Sequence, residues 1–264
     1  TIEDEFGFPV LIRGKGGVRL TENGRALLPA IREILNANDH MDQIVANIRG
    51  MSFGRLRIGT FASASVLWLP KIIEEFSHDY PGIQIEIIVG GNDSLISQLD
   101  ESCIDFAIMS NPPQGYEWIH LASDRMLVLL PPGHRLVDKD RVTLDEIDDD
   151  PFILSNEGFD YDVSQIIKGS GITPRLSFST MENRGIIAMI QHGLGVTVMP
   201  EMVLDSLESN VITKELAPCE YRHMGIIVKS VHTASLAAKT FISYAKRIIS
   251  ELGTYPPIDG ELNA

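Results

Sequence analysis

Between Leu27 and Ile48 apolar side chains recur at Leu27, Ile31, Ile34, Met41, Val45 and Ile48, with Asn38 the one polar member of the series. The spacing alternates four and three residues, the repeat of a narrow seam by which one helix pairs with another. Thr21 stands where an N-cap belongs, and Glu22 suits the positive end of the helix dipole. Pro29 removes one backbone bond and predicts a kink. The stripe is too narrow for a globular core, so Leu27, Ile31, Ile34, Asn38, Met41, Val45 and Ile48 predict a dimerisation seam with a second chain. A helix packed on its own domain is the plainer alternative. Gly50 and Gly54, around Met51-Ser52-Phe53, read as a hinge.

From Arg55 the period changes to short strands alternating with helices. Strands are expected at 55–60, 83–89 and 105–109, with helices at 66–76 and 94–99 between them. The same grammar restarts with strands at 152–154, 176–179 and 196–199 and helices at 163–168, 183–192 and 201–207. Residues 126–130 read as a strand crossing between the two sets, 224–228 as a return strand and 234–252 as a closing helix. Strand–helix alternation with short connections predicts an α/β fold: two Rossmann-like lobes, each a parallel sheet with covering helices, joined by two crossings. A cleft between two such lobes suits a small molecule.

Apolar residues make up 44% and charged residues 22% of the 264, as in ordinary globular domains. No apolar run approaches the ~20 residues of a membrane-spanning helix, and no membrane partner is expected. The acidic start at Glu3, Asp4 and Glu5 lacks the basic character of a secretory signal. Cys103 and Cys219 have no cysteine neighbours, which fits a reducing, cytoplasmic setting better than a disulfide framework. A net charge of −14 is no footprint of a nucleic-acid binder. The exception is local: Arg13, Lys15, Arg19 and Arg25 face one acid, Glu22, across a glycine-rich stretch. Such a turn lets Lys15 and Arg19 approach a phosphate backbone, although an ordinary exposed turn has the same composition.

In open α/β sheets ligands bind beyond the carboxyl ends of strands. Polar residues at those ends are Ser63 and Ser65, Asn92, Ser110 with Asn111, Ser155 with Asn156, Thr180 and Thr197. Ser63 and Ser65 sit in Phe61-Ala-Ser-Ala-Ser65, where hydroxyls and helix amides hold an anion or merely cap the helix. Phe159 and Arg184 are further candidates to line or charge the cleft. Catalytic chemistry has little to stand on. The seven histidines form no i, i+4 ligand pair, and Cys219-x-x-x-His223 has no second pair to complete a metal site. There is no G-x-S-x-G elbow and no phosphate loop, and Gly193-x-Gly195 precedes a strand instead of opening a helix. Cys103, in a helix-to-strand turn, reads as a packed small hydrophobe. The five acids of 145–150 read as a solvated loop. No catalytic residue, metal or cofactor is expected.

Several of these segments together resemble one family. Gly17-Val-Arg-Leu-Thr-Glu-Asn-Gly24 followed by Leu27-Leu-Pro29 is similar to the wing and linker-helix start of LysR-type transcriptional regulators. Leu56-Arg-Ile-Gly59, Leu69-Pro70, Phe76 with Pro81, Asp105-Phe-Ala-Ile108 and Gly193-Leu-Gly-Val-Thr-Val-Met-Pro200 follow in the order and spacing of that family. The resemblance covers nearly the whole chain. It implies type 2 periplasmic-binding-protein-like lobes preceded by a wing remnant and a long linker helix. Residues 1–20 are then the remnant of a winged helix-turn-helix, 21–53 the linker and hinge, and 54–264 the effector-binding regulatory domain. Lobe I is expected at 54–125 and 230–264 and lobe II at 126–229. The two recognition helices of the family are expected before Thr1.

The implied partners are promoter DNA, a small-molecule effector of anionic character, and further copies of the chain as a homodimer or homotetramer. By resemblance Ser63, Ser110 and Thr180 are the stronger effector contacts; Asn92, Ser155 and Thr197 could equally be structural caps. By resemblance, too, the linker helices pair antiparallel, which sets Asn38 opposite a different residue. A free solute-binding protein of the periplasmic type shares the two lobes, but leaves the basic turn and the seam of 13–49 without a use.

Overall fold

The computed structural model describes residues 2–14, 17–48, 53–111, 114–155, 161–180, 182–207 and 211–255. The expected Lys15, Asn156 and Phe159, and most of the glycine hinge, lie outside these residues. A short helix α1 (Ile2–Phe6) leads into a hairpin of β1 (Leu11–Gly14) and β2 (Gly17–Leu20), paired from Leu11 opposite Leu20 to Gly14 opposite Gly17. Arg19 is exposed on it. The linker helix α2 (Glu22–Ile48) is capped as expected: the Gly24 amide donates to Thr21 Oγ1 at 2.9 Å. The helix runs through Pro29.

Lobe I follows with β3 (Gly54–Thr60), α3 (Ala62–Leu67), α4 (Leu69–Asp79), β4 (Ile83–Val89), α5 (Asn92–Asp100) and β5 (Phe106–Ser110). The long β6 (Glu117–Leu130) crosses into lobe II. There lie β7 (Arg141–Val142), β8 (Pro151–Ser155), α6 (Tyr161–Ser170), β9 (Arg175–Thr180), α7 (Asn183–Gln191), β10 (Thr197–Pro200), α8 (Glu201–Asp205) and β11 (Ile212–Leu216). β12 (Tyr221–Val228) returns to lobe I, which α9 (Leu236–Leu252) closes, with Ser235 Oγ accepting from the Ala238 amide at its start.

Four expectations change. The sheets are mixed: β4, β3 and β5 are parallel, whereas β12 runs antiparallel to both β5 and β6. β6 is one strand serving both lobes, pairing with β12 over 117–125 and with β10 and β11 over 126–130. Because β12 is hydrogen-bonded into lobe I, the chain returns there at Tyr221 and not at residue 230. The helix expected over 66–76 is two helices, α3 and α4, broken at Trp68 ahead of Pro70. Proline at the second position of α4 has no amide hydrogen to extend α3 across the junction.

The lobe I core gathers Leu56, Ile58, Trp68, Ile72, Phe76, Phe106, Met224, Ile226 and the inner face of α9 (Ala238, Phe241, Ala245, Ile248). Lobe II has two smaller cores on opposite sides of β6, one around Val128, Phe152 and Val196, the other around Leu129, Ile187 and Met199. The Gly193–Gly195 motif answers a packing demand. Gly193 has a φ of 75°, and a Cβ on Gly195 would stand 2.3 Å from the Pro151 carbonyl oxygen, where the chain entering β10 meets β8.

The linker helix uses two faces differently. Its polar face docks on lobe I: Arg32 Nη1 donates to Glu101 Oε2 at 2.8 Å, Asn36 Nδ2 to the Ser102 carbonyl at 3.1 Å, and Arg57 Nη2 to Asn36 Oδ1 at 2.6 Å. Of the expected seam, Leu27 and Ile31 are half-buried, while Ile34, Met41 and Val45 stand exposed. Asn38 is exposed too, its Nδ2 3.4 Å from Asp42 Oδ2. Leu35 and Ile44 widen the exposed stripe. Among the described residues no helix is long and apolar enough to cross a membrane.

Candidate functional site between the lobes

The crossing strands carry an ion pair at the floor of the cleft. Asp124 on β6 and Arg222 on β12 are register partners whose side chains point to the same face. Asp124 is fully buried; its Oδ2 accepts from Arg222 Nε at 2.8 Å and Nη2 at 2.7 Å, and its Oδ1 from the Met202 amide at 3.1 Å. Burial pushes the Asp124 carboxyl up, against the pull of Arg222 and the Met202 amide. The guanidinium lies 4.9 Å from the centre of the Phe61 ring and donates to Ser63 Oγ at 3.3 Å. One cation thus joins both crossing strands to the loop that follows β3.

A second carboxylate closes the cleft from lobe II. Asp162, in the first turn of α6, accepts from Ser110 Oγ at 2.9 Å and from Asn111 Nδ2 at 2.5 Å, both on lobe I. Asn111 holds a left-handed backbone conformation with φ 51°, which asparagine tolerates better than most residues. Asn92 braces this edge by donating to the Ser110 carbonyl at 2.9 Å. Asp124 and Arg222 cancel, so Asp162 carries the net charge of the cluster. Burial raises its pKa despite the opposing pull of Arg222 and the Ser110 hydrogen bond.

The sign of that shift yields a first prediction. An acid whose folded pKa lies above its unfolded one stabilises the fold as the pH drops through the folded pKa toward the ordinary aspartate range. Asp162→Asn removes the charge and keeps one acceptor oxygen in place of two, so one of the two donors loses its partner. The variant is expected to melt higher than wild type at pH values above the raised folded pKa, with the gap narrowing as the pH falls through that pKa toward the ordinary aspartate range. A gap that stays constant over that range would show that Asp162 is not desolvated.

The other expected residues fall into distinct places. Ser63 and Ser110 are buried within the cluster, and Asn92 supports it. Ser155 and Thr180 are register partners at the carboxyl ends of parallel β8 and β9, and Thr180 Oγ1 accepts locally from the Glu182 amide. Ser65 turns back on its own helix, donating to the Ala62 carbonyl at 2.6 Å. Thr197 is buried and ties β10 to β8 through the Ile153 carbonyl at 2.6 Å. Arg184 is exposed at the start of α7. The six-residue α3 offers a weaker dipole than the long helix expected there, so the donors of this site are side chains.

Asp124, Arg222 and Asp162 were missed by sequence reasoning. One signal for Asp124 existed: it shares strand parity with Ala122, Met126 and Val128, all core residues. Nothing local marks Asp162.

The fold has known counterparts. The LysR substrate binding domain family matches residues 49–249. An uncharacterized HTH-type transcriptional regulator of Bacillus subtilis, YvbU, is 34% identical over 250 residues, covering 94% of this chain and 86% of its own. A full-length OxyR variant from Pseudomonas aeruginosa superposes with a TM-score of 0.73 at 20% identity, covering 93% of this chain and 85% of that one. The effector binding domain of QuiR in complex with shikimate gives a TM-score of 0.68 at 20% identity, over 76% of this chain and 99% of that one. Relatives that regulate transcription decide against a free solute-binding protein, and the chain belongs to the LysR-type transcriptional regulators, of which it carries the effector-binding domain and the linker helix.

Proposed function

We propose that a small anionic metabolite binds between the lobes, contacts Ser63, Ser110 and Asn111, and thereby controls promoter binding by the whole regulator. The observation that carries this reading is that lobe I already holds a carboxylate across the cleft, that of Asp162, on Ser110 Oγ and Asn111 Nδ2. Ser63 accepts from Arg222 and keeps a hydroxyl proton to give. The shikimate carried by the QuiR domain is a small hydroxycarboxylate of the same class. Thr180 and Ser155 supply the facing polar edge of lobe II. The chain works by binding and not by turnover, in the cytoplasm, where promoter DNA is found.

The exposed seam of α2 supports dimerisation through the linker helix, and a second interface between lobes would make tetramers. The β1–β2 hairpin offers Arg19 to the phosphate backbone, and Lys15 is the second basic residue assigned to it from the sequence, as an adjunct to the recognition helices of the family. The reading is tested by thermal melting of residues 1–264 against a panel of small carboxylates and phosphates. A ligand at 100 times its dissociation constant adds about 2.7 kcal/mol of stability. Ser63→Ala is expected to weaken that stabilisation, and a ligand that binds Ser63→Ala with wild-type affinity places the effector elsewhere.

A further inference from the structure

Asp162 stands between two spaces of unequal size. On one side is a cavity of about 30 Å³ that it shares with Arg222, Asn183 and Met199. That volume admits water and nothing the size of a metabolite. On the other is a groove of about 690 Å³ bordered by Asn111, Gln165, Ile166 and Tyr221, in the size range of small-molecule sites. Asn111 borders that groove, so the carboxylate fills a donor that a ligand there would need, and it holds the Ser110 hydroxyl beside it. The Ser110 hydroxyl has one proton to donate, and it is given to Asp162.

Charge disfavours sharing. Arg222 is neutralised by Asp124, so a ligand carboxylate arriving beside Asp162 would place two like charges in a buried site. Two carboxylates in one buried site do not both stay ionised, so one takes up a proton or moves away. Whichever carboxylate is ionised, the single Ser110 proton serves one of them, so a ligand takes that donor only when Asp162 releases it.

We propose that Asp162 is a tethered occupant of the carboxylate subsite formed by Ser110 and Asn111, and that the effector's anionic group binds by evicting it. The proposal rests on the reading of the cleft as the effector site, and adds how that site is regulated. The chain's own carboxylate adds a clasp between the lobes to the crossing strands that join them. Because the competitor is covalently attached, its local concentration is high, and it sets the affinity threshold that an effector must exceed. Eviction also frees α6 from lobe I, so binding exchanges one lobe-to-lobe contact for another made through the ligand.

The test is isothermal titration of residues 1–264 with malonate, shikimate and inorganic phosphate as probes. Wild type, Asp162→Asn, Asp162→Ala, Ser110→Ala and Ser63→Ala are compared, with melting curves to confirm that each is folded. Relief of the competing charge-assisted hydrogen bonds is expected to tighten at least one probe by about tenfold in Asp162→Asn. Ser110→Ala should weaken the same probe. If Asp162→Asn and Asp162→Ala bind with wild-type affinity while Ser110→Ala and Ser63→Ala weaken binding, the cleft remains the effector site and the tethered occupant is overturned. If the two serine variants leave affinity unchanged, both readings fail. If no probe binds either Asp162 variant, the proposal also fails, because a vacated carboxylate subsite must take one.

Discussion

Asp124→Ala is expected to lower the stability of the chain by about 3–5 kcal/mol, because it leaves the Arg222 guanidinium buried without its counter-charge. The carboxylate is fully buried and Arg222 is 6% exposed, so water cannot replace the lost partner. The Met202 amide loses its acceptor at the same time, and with it the link between α8 and the crossing strands. For a domain of this size the loss corresponds to a fall in thermal midpoint of roughly 6–20 °C. Replacing both partners, as Asp124→Leu with Arg222→Met, removes the stranded charge and should recover much of the stability. Calorimetric melting of the two variants checks this. A single variant within about 1 kcal/mol of wild type would mean that solvent reaches the pair and that it contributes like a surface salt bridge.

The second large effect is on mass. Ile34→Asp combined with Met41→Asp is expected to lower the mass in analytical ultracentrifugation from that of the proposed dimer to that of a monomer while leaving the melting of the lobes unchanged. Ile34 is 70% and Met41 55% exposed in a single chain, so neither substitution costs core packing within it. The docking of α2 on its own lobe runs through Arg32 and Asn36, which both substitutions leave alone. The apolar stripe is what a long helix must cover, and carboxylates placed in a paired seam bring like charges together. If the double variant keeps the wild-type mass, or if the unmutated chain is already monomeric at micromolar concentration, the seam is not the interface.

The structure combines two alternatives that the α2 pattern had set against each other. The helix packs on its own domain with one face and leaves the seam free with another, because lobe I offers it the polar partners Glu101, Ser102 and Arg57. Long elements with a clear period were legible. The capped linker helix, the parallel strands of lobe I, and the closing helix lie within a few residues of their expected bounds. Local breaks were harder to read. The junction at Trp68 arises where Leu69-Pro70 starts a new helix inside an apolar run that keeps its helical spacing. The first half of β6, over 117–125, carries His120, Ser123, Asp124 and Arg125, and its polar residues hid a strand whose partners are distant.

By itself the sequence determined the two-lobed α/β grammar, the long helix before the lobes, and the family, because each rests on periodicity or on motifs a few residues long. It also placed Ser63, Ser110 and Asn92 at strand ends, where that grammar puts ligands. Only the tertiary structure decided which hydroxyls are committed to the backbone and which meet the charged side chains of Arg222 and Asp162. It alone produced the Asp124–Arg222 pair, whose members are 98 residues apart, and the clasp of Asp162 on Ser110, 52 residues away. A buried charge leaves no local trace in a sequence: its stability depends on partners brought together by strand crossing, and no short window contains both.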